Sequence, residues 1–122
     1  GLIVPMQCEY YALEGLSALL STIQRVKTGL NPNLEIDGVV FCMFDPRPNL
    51  THQVTREVKE HLGHRVFGTV IPRNIRLSEC PSYGKPILLY DRMSRGCSSY
   101  LELAQEFIAR DRGPMMAKEV AG

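Results

Sequence analysis

Three basic side chains fall within one short segment, V-I-P-R-N-I-R-L-S-E-C-P-S-Y-G-K-P at residues 70–86. Arg73 and Arg76 are three residues apart, so they share one face if the chain from Asn74 onward forms a helical turn. Lys85 stands just before the proline that closes the segment. A basic loop of this kind is suited to binding rather than to catalysis, and what it contacts depends on where the fold places it.

Sequence patterns that would form a complete active site are absent. The 122 residues contain no G-x-x-x-x-G-K-[ST] and no G-x-G-x-x-G, so no glycine-rich loop is present to hold phosphates. They also contain no G-x-S-x-G, no H-E-x-x-H, and no Cys/His spacing that indicates nucleophilic catalysis. A self-contained catalytic site is therefore not expected.

The cysteines and histidines are not spaced as metal ligands. Cys8, Cys42, Cys80 and Cys97 include no C-x-x-C pair, and Cys42 lies in an apolar run where a buried free thiol is the ordinary role. The histidines at positions 52, 61 and 64 lack the further ligands that a zinc site needs, so surface positions are expected. Free thiols are typical of a reducing, cytoplasmic compartment.

Apolar periodicity predicts an alternation of strands and helices. Apolar residues recur every three or four positions over residues 11–28 and 49–63, which indicates two amphipathic helices. Continuous apolar runs predict strands over residues 2–4, 36–44 and 66–71, and a further β-type run over residues 87–89.

A last helix is predicted from about residue 100 to residue 110. Ser99-x-x-Glu102 is a capping-box pattern at its start, and Gly113-Pro114 is a helix-ending pair. We therefore expect one domain over residues 1–112 and a flexible tail over residues 113–122.

The order strand, helix, strand, helix, strand predicts an α/β fold with a mostly parallel sheet flanked by helices. The carboxyl ends of parallel strands meet at one edge, which brings together the connections Pro5–Tyr10, Phe44–Pro48 and Pro72–Arg76. Open α/β sheets bind ligands at that edge. The basic segment is therefore expected to begin where the fold would hold a ligand.

Composition adds little about partners. The formal net charge is +1, which gives no global argument for nucleic acid or a membrane surface. The longest apolar runs are far shorter than the roughly 20 residues of a membrane span, so no membrane association is expected. The chain opens on G-L-I-V without an initiator Met, which suggests the middle of a longer protein.

Several long segments of the sequence resemble the carboxyl-terminal half of the ParA/Soj chromosome-partitioning ATPases. They are P-M-Q-C-E-Y-Y-A-L-E-G-L at 5–16, L-N-P-N-L-E-I-D-G-V at 30–39, M-F-D-P-R-P-N-L at 43–50, I-P-R-N-I-R-L-S-E-C-P-S-Y-G-K-P at 71–86 and Y-L-E-L-A-Q-E at 100–106. The departures from the usual pattern are small: Pro46, Pro48, Cys80 and Tyr83 stand where the family commonly has other residues. That family has a P-loop NTPase-like fold with a deviant Walker A loop, and it includes relatives of MinD.

The resemblance implies a role in chromosome or plasmid segregation for the intact protein. Family members bind ATP with Mg²⁺, dimerise, bind DNA without sequence preference and respond to a ParB-type partner, and they are cytoplasmic and nucleoid-associated in bacteria. Their amino-terminal half supplies the Walker A lysines and the Mg²⁺ ligands. This chain alone is therefore expected neither to hydrolyse ATP nor to bind it tightly.

The resemblance also implies residues for the base side of the nucleotide site. Met43 and Asp45 at the end of the second strand, and Pro72 and Asn74 at the end of the third, border the adenine in relatives. Core packing and strand termination are the alternative roles for Met43 and Pro72. Glu9 is implied as a contact to the nucleotide or to the dimer partner, and a solvated loop carboxylate is the alternative.

For DNA, the resemblance implies phosphate contacts by Arg47, Arg73 and Arg76, with Lys85 as a further candidate. The alternative for Arg73 or Arg76 is an ion pair with Glu79 or a cap on backbone carbonyls.

Two other functional classes remain open from sequence. The chain could be a non-enzymatic DNA-binding or dimerisation module that lacks the P-loop. A free-standing α/β enzyme that uses Cys8 or Cys97 is a weaker idea, because no base or oxyanion partner accompanies either thiol.

Overall fold

The computed structural model describes residues 1–121, with side chains for residues 1–111. These residues include three strands: β1 (Leu2–Met6), β2 (Ile36–Phe44) and β3 (Val66–Pro72). The helices are α1 (Ala12–Gly29), α2 (Asn49–Leu62), the short α3 (Ile75–Glu79) and α4 (Ile87–Tyr90), and α5 (Arg95–Ala121).

The strands form a parallel sheet in the order β1-β2-β3. The central strand β2 is buried on both faces, since Val39, Val40 and Phe41 are at most 3% exposed. This is why its sequence is a continuous apolar run rather than an alternating one. The predicted α/β fold with a parallel sheet flanked by helices is confirmed.

One face of the sheet carries the larger core. Leu16 and Ile23 of α1 and Val54 and Val58 of α2 are buried in the same cluster as Phe41 of the central strand. The apolar stripes of both helices therefore cover this face, as amphipathic helices that connect parallel strands should.

The opposite face is covered by α5. Val40, Phe67 and Ile71 form a second buried cluster, against which Leu103 of α5 and Leu77 of α3 pack. Because successive residues of a strand point to opposite faces, Val40 belongs to this cluster while Val39 and Phe41 belong to the first.

A bulge in β3 provides the attachment of α5. Val39 pairs with Val66 and Phe41 pairs with Val70, so β3 uses more residues than β2 over this interval. The backbone N–H groups of Gly68 and Thr69 in the bulge donate to the carboxylate of Glu106, at 2.8 Å and 2.9 Å. The Thr69 hydroxyl donates to the same carboxylate at 2.8 Å.

Arg110, one turn after Glu106 on α5, completes this attachment. Its guanidinium donates to the carbonyl oxygens of Arg65 and Val66, at 3.2 Å and 2.8 Å, and to Glu106 at 3.2 Å. It also lies 4.1 Å from the ring centroid of Phe67, which adds a cation–π contact.

Two local predictions were wrong. The apolar run 87–89 forms α4 rather than a strand, because Pro86 precedes a helical turn in which the N–H groups of Leu89 and Tyr90 donate to the Pro86 carbonyl. A short apolar run does not distinguish a strand from a helical turn by its pattern alone.

The start of the last helix was also placed too late. The N–H of Cys97 donates to the Ser94 hydroxyl at 3.1 Å, so Ser94 caps a helix that begins at Arg95, and the Ser99-x-x-Glu102 pattern lies inside that helix. The helix is assigned to Ala121, past Gly113-Pro114. The side chains of 112–122 lie outside the described residues, and the domain over 1–112 with a flexible tail over 113–122 stays a prediction.

The carboxylate of Glu106 is expected to stabilise the fold in a pH-dependent way. Burial opposes its ionisation, but hydrogen bonds from Gly68 and Thr69 and the nearby Arg110 outweigh that effect, so its pKa is lowered. Glu106→Gln should lower the free energy of unfolding by about 1–3 kcal/mol at pH 7, since charged hydrogen bonds are lost. A lowered folded-state pKa means that this difference is present above the unfolded pKa of about 4.3 and shrinks as the pH falls below it.

Urea denaturation at pH 7 and at pH 3.5 measures this effect. Glu102→Gln is the matched control, because Glu102 lies on the same helix and forms no hydrogen bond with the described side chains or backbone. It should change the free energy of unfolding by less than about 0.5 kcal/mol. Equal destabilisation by both substitutions would contradict the proposed anchor.

Candidate functional site

The carboxyl ends of the strands lie side by side at one edge of the sheet. Met6 of β1 pairs with Phe41 of β2, and Phe44 of β2 pairs with Pro72 of β3. The predicted meeting of the loops that follow is therefore present for β2 and β3, whose last residues are direct partners.

Met43 has an unusual backbone conformation at this edge. Between the pairs Phe41–Val70 and Phe44–Pro72, β2 has one more residue than β3, and Met43 occupies the bulge with φ of +49°. This left-handed conformation costs a residue with a Cβ about 1–2 kcal/mol. Met43 is 43% exposed as a residue, and the Gln7 side-chain amide nitrogen lies 3.1 Å from its sulfur. Met43 thus presents its thioether at the surface rather than in the core.

Asp45 and Arg47 form a closed pair in the loop after β2. The Arg47 guanidinium donates to both carboxylate oxygens of Asp45, at 2.9 Å and 2.8 Å, and the Arg47 backbone N–H donates to it at 3.1 Å. These hydrogen bonds, with a smaller effect from the charge of Arg73, lower the pKa of Asp45 to about 2. His52 holds the same loop through a 2.6 Å contact of its ring nitrogen Nε2 with the Pro46 carbonyl.

Asn74 caps α3. Its side-chain oxygen accepts from the backbone N–H groups of Arg76 and Leu77, at 3.0 Å and 3.4 Å. Pro72 is half-buried at the end of β3, where it terminates the strand. The side-chain oxygen of Asn74 is therefore used by the helix, while its amide group keeps donors for another partner.

The four predicted DNA contacts are not equivalent in the structure. Arg76 forms ion pairs with Glu79 at 3.2 Å and Asp91 at 3.3 Å, and the Tyr90 hydroxyl donates to the same Glu79 carboxylate. The pairing with Glu79 that the sequence left open is thus present for Arg76. Arg73 and Lys85 are exposed and form no ion pair with the side chains of residues 1–111.

A cleft of about 690 Å³ joins the β2 and β3 ends to the start of α5. It is lined by Arg47 and Arg73, which the sequence predicted, and by Arg95, which it did not. Arg95 was missed because the helix that carries it was predicted to begin five residues later. Recognition of Ser94 as a helix cap would have placed it on α5.

Glu9 lies apart from this cleft. It is exposed after β1 and lines a separate hollow of about 350 Å³ with Gln7, Tyr11 and the first turn of α1. The structure therefore brings Arg47 and Arg73 together and leaves Glu9 at a different position along the same edge.

Within the described residues, no group of three or more His, Cys, Asp or Glu side chains is arranged to hold a metal ion. Among the same residues, no helix is long and apolar enough to cross a membrane.

Comparison with known proteins identifies the family. The profile of the CobQ/CobB/MinD/ParA nucleotide binding domain matches residues 4–87. The chain belongs to this family. The matched residues include both strand ends at the cleft and the basic segment 70–86.

Named relatives narrow the relationship within the CobQ/CobB/MinD/ParA family. The chain is 53% identical over 121 residues to the chromosome partitioning protein ParA of Myxococcus xanthus, covering 99% of this chain and 43% of the relative. It is 54% identical over 112 residues to the chromosome partitioning protein ParA of Caulobacter vibrioides, covering 92% of this chain and 42% of the relative. It is 56% identical over 109 residues to the sporulation initiation inhibitor protein Soj of Bacillus subtilis, covering 89% of this chain and 43% of the relative.

The resemblance to ParA/Soj proteins is thus confirmed along nearly the whole chain. The chain spans less than half the length of these relatives.

The pairing of Asp45 with Arg47 gives a testable consequence for titration. Arg47→Gln should raise the pKa of Asp45 from about 2 toward the ordinary value of about 3.9, because both side-chain hydrogen bonds are lost. NMR detection of the Asp45 carboxyl carbon between pH 1.5 and pH 6 measures the midpoint. Arg56→Gln, an exposed position on α2 that does not contact Asp45, serves as the control. An unchanged midpoint in Arg47→Gln would contradict the pair.

Proposed function

We propose that this chain is the carboxyl-terminal portion of a ParA/Soj-type partitioning ATPase. The intact protein would bind ATP, dimerise, bind DNA without sequence preference and respond to a ParB-type partner in a bacterial cytoplasm, at the nucleoid. The observation that carries the proposal is identity above 50% along nearly the whole chain to proteins named as chromosome partitioning proteins. The parallel sheet with its ligand edge agrees with it.

For the nucleotide, we assign the base side to the strand ends. The exposed thioether of Met43 offers an apolar surface for a base. Asn74 keeps its amide donors free while its oxygen caps α3. Pro72 would contribute only its carbonyl, since it has no N–H. Asp45 would act by holding the loop closed through Arg47, and Glu9 would contact the nucleotide or the second protomer.

The phosphate and Mg²⁺ side of ATP is not assigned to this chain. Its 122 residues contain no glycine-rich phosphate loop. The described residues also offer no metal-binding cluster. These groups do not fit here, so the phosphates and the metal would be held by other parts of the intact protein.

For DNA, the proposal assigns phosphate contacts to Arg47, Arg73, Arg76 and Lys85. Guanidinium groups bind phosphate oxygens through paired donors, and such contacts carry no sequence information. Arg73 is available as it stands, whereas Arg47 and Arg76 would have to exchange a carboxylate partner for a phosphate.

The proposal that the phosphate side of the ATP site lies outside this chain is tested by comparing the chain with the complete gene product. The complete protein should hydrolyse ATP, and the 122-residue chain should show no hydrolysis above background, because it has no phosphate loop. Phosphate release with stoichiometric enzyme measures both. Hydrolysis by the pure chain would contradict the assignment, and a gene without an upstream K-G-G-x-G-K-[ST] loop would favour the non-enzymatic module.

Substitution of the arginines separates DNA binding from dimerisation. In the complete protein, Arg73→Glu and Arg76→Glu should each reduce DNA affinity at least tenfold and leave ATP-dependent dimerisation intact, since a phosphate contact becomes a repulsion. Anisotropy with a labelled duplex and analytical ultracentrifugation measure the two properties. Arg25→Glu on α1, away from this edge, is the charge-matched control. Equal loss of both properties in Arg76→Glu would indicate that its ion pairs with Glu79 and Asp91 are structural.

A further inference from the structure

Three arginines from three separate elements line the same cleft. Arg47 comes from the loop after β2, Arg73 from the end of β3 and Arg95 from the first residue of α5. Ser98 and Ser99 add hydroxyl groups on the α5 side. Elements that are far apart in sequence therefore bring guanidinium groups around one open space.

The arginines outnumber the carboxylates among the described residues that line the cleft. Asp45 is already bound by Arg47 through two side-chain hydrogen bonds. Arg73 and Arg95 are exposed and form no ion pair with the side chains of residues 1–111. Glu102 is the other carboxylate among the described lining residues. Three arginines and two carboxylates give the described lining residues a formal net charge of +1. The guanidinium groups of Arg73 and Arg95 are the ones without an ion-pair partner among these side chains.

The position of Arg95 is fixed by packing. Gly96, the next residue, is buried against α3, and a Cβ there would lie 2.5 Å from Cγ of Leu77. The first turn of α5 is therefore seated directly on α3, which follows β3 and Arg73. This contact holds the backbone of Arg95 beside the strand ends.

We propose that Arg95 is a further phosphate-contacting residue, which acts on the DNA backbone together with Arg47 and Arg73. The inference rests on the DNA binding proposed above and adds α5 to the elements that contact DNA. Arg76 differs from Arg95 because two carboxylates already hold its guanidinium. An open cleft with unpaired guanidinium groups suits an extended polyanion, since each phosphate that replaces solvent there releases counterions.

The test is the salt dependence of DNA binding by the complete gene product with ATP. The probe is a fluorescein-labelled duplex of random sequence, followed by anisotropy over a range of KCl concentrations. Arg95→Gln should reduce the slope of log K against log[salt] by about 0.9 and weaken binding about eightfold at 0.1 M salt, because one phosphate contact is lost.

Arg92→Gln is the matched control, since Arg92 is exposed just before α5 but does not line the cleft. Its slope should stay within about 0.3 of the wild-type slope. A reduction equal to that of Arg95→Gln would overturn the assignment, because it would show a general charge effect. An unchanged slope in Arg95→Gln would also overturn it.

Ser98→Lys adds a positive charge on the α5 side of the cleft. This second variant keeps Arg95, so its result does not depend on whether α5 tolerates the loss of that residue. Ser98→Lys should steepen the slope of log K against log[salt] by about 0.9. An unchanged slope would count against contact between DNA and the α5 side of the cleft. If the wild-type protein binds no DNA at all, the proposed function fails together with this inference. If it binds DNA and the Arg95 and Ser98 variants behave as wild type, only the inference fails.

Discussion

The attachment of α5 to β3 through Glu106 holds the helix on the second face of the sheet and sets where its first turn lies. A bulge in a parallel strand leaves backbone N–H groups without a strand partner, and such groups are costly if they stay unpaired. Here the two amides of Gly68 and Thr69 share one carboxylate, and Arg110 compensates its charge. The same helix that satisfies the bulge also covers the second face of the sheet. Its first turn is thereby directed to the carboxyl edge, where Arg95 enters the cleft.

The arginines at that edge differ in whether they already form ion pairs within the chain. Arg47 and Arg76 are held by carboxylates of the chain itself, whereas Arg73 and Arg95 have no ion-pair partner among the side chains of residues 1–111. An arginine that must leave a carboxylate gains less from a phosphate than a solvated one, because it loses an existing charged contact. The sequence named Arg47, Arg73 and Arg76 together as candidate contacts and did not include Arg95. Only the ion pairs in the structure distinguish the paired arginines from the unpaired ones.

The nucleotide and DNA assignments meet in one short stretch of chain. Met43, Asp45 and Arg47 follow one another across the end of β2, and the closed Asp45–Arg47 pair ties a proposed base-side residue to a proposed DNA contact. The strained conformation of Met43 lies in the same stretch. Residues in sparsely populated conformations concentrate at functional sites, where the surrounding structure holds them in place. This arrangement offers a physical route by which nucleotide contact and DNA contact could influence each other.

The sequence by itself determined the elements whose signal is local and repeated. The apolar run of β2 predicted its bounds without error, and the periodicity of α1 and α2 placed both helices within one or two residues. Their alternation established the parallel sheet and the edge at which Arg47 and Arg73 would lie. Long sequence segments that resemble ParA/Soj proteins also indicated the family, since they contain the same residue types in the same order.

Only the tertiary structure decided how the polar groups are used. The bulges at Met43 and at Gly68–Thr69 depend on the register between strands, which no local pattern encodes. The run 87–89 forms a helical turn because backbone N–H groups of this segment donate to the Pro86 carbonyl rather than to a partner strand. Arg76 forms an ion pair with Asp91, and Arg95 lines the same cleft as Arg73, because side chains distant in sequence meet only after helices pack on the sheet.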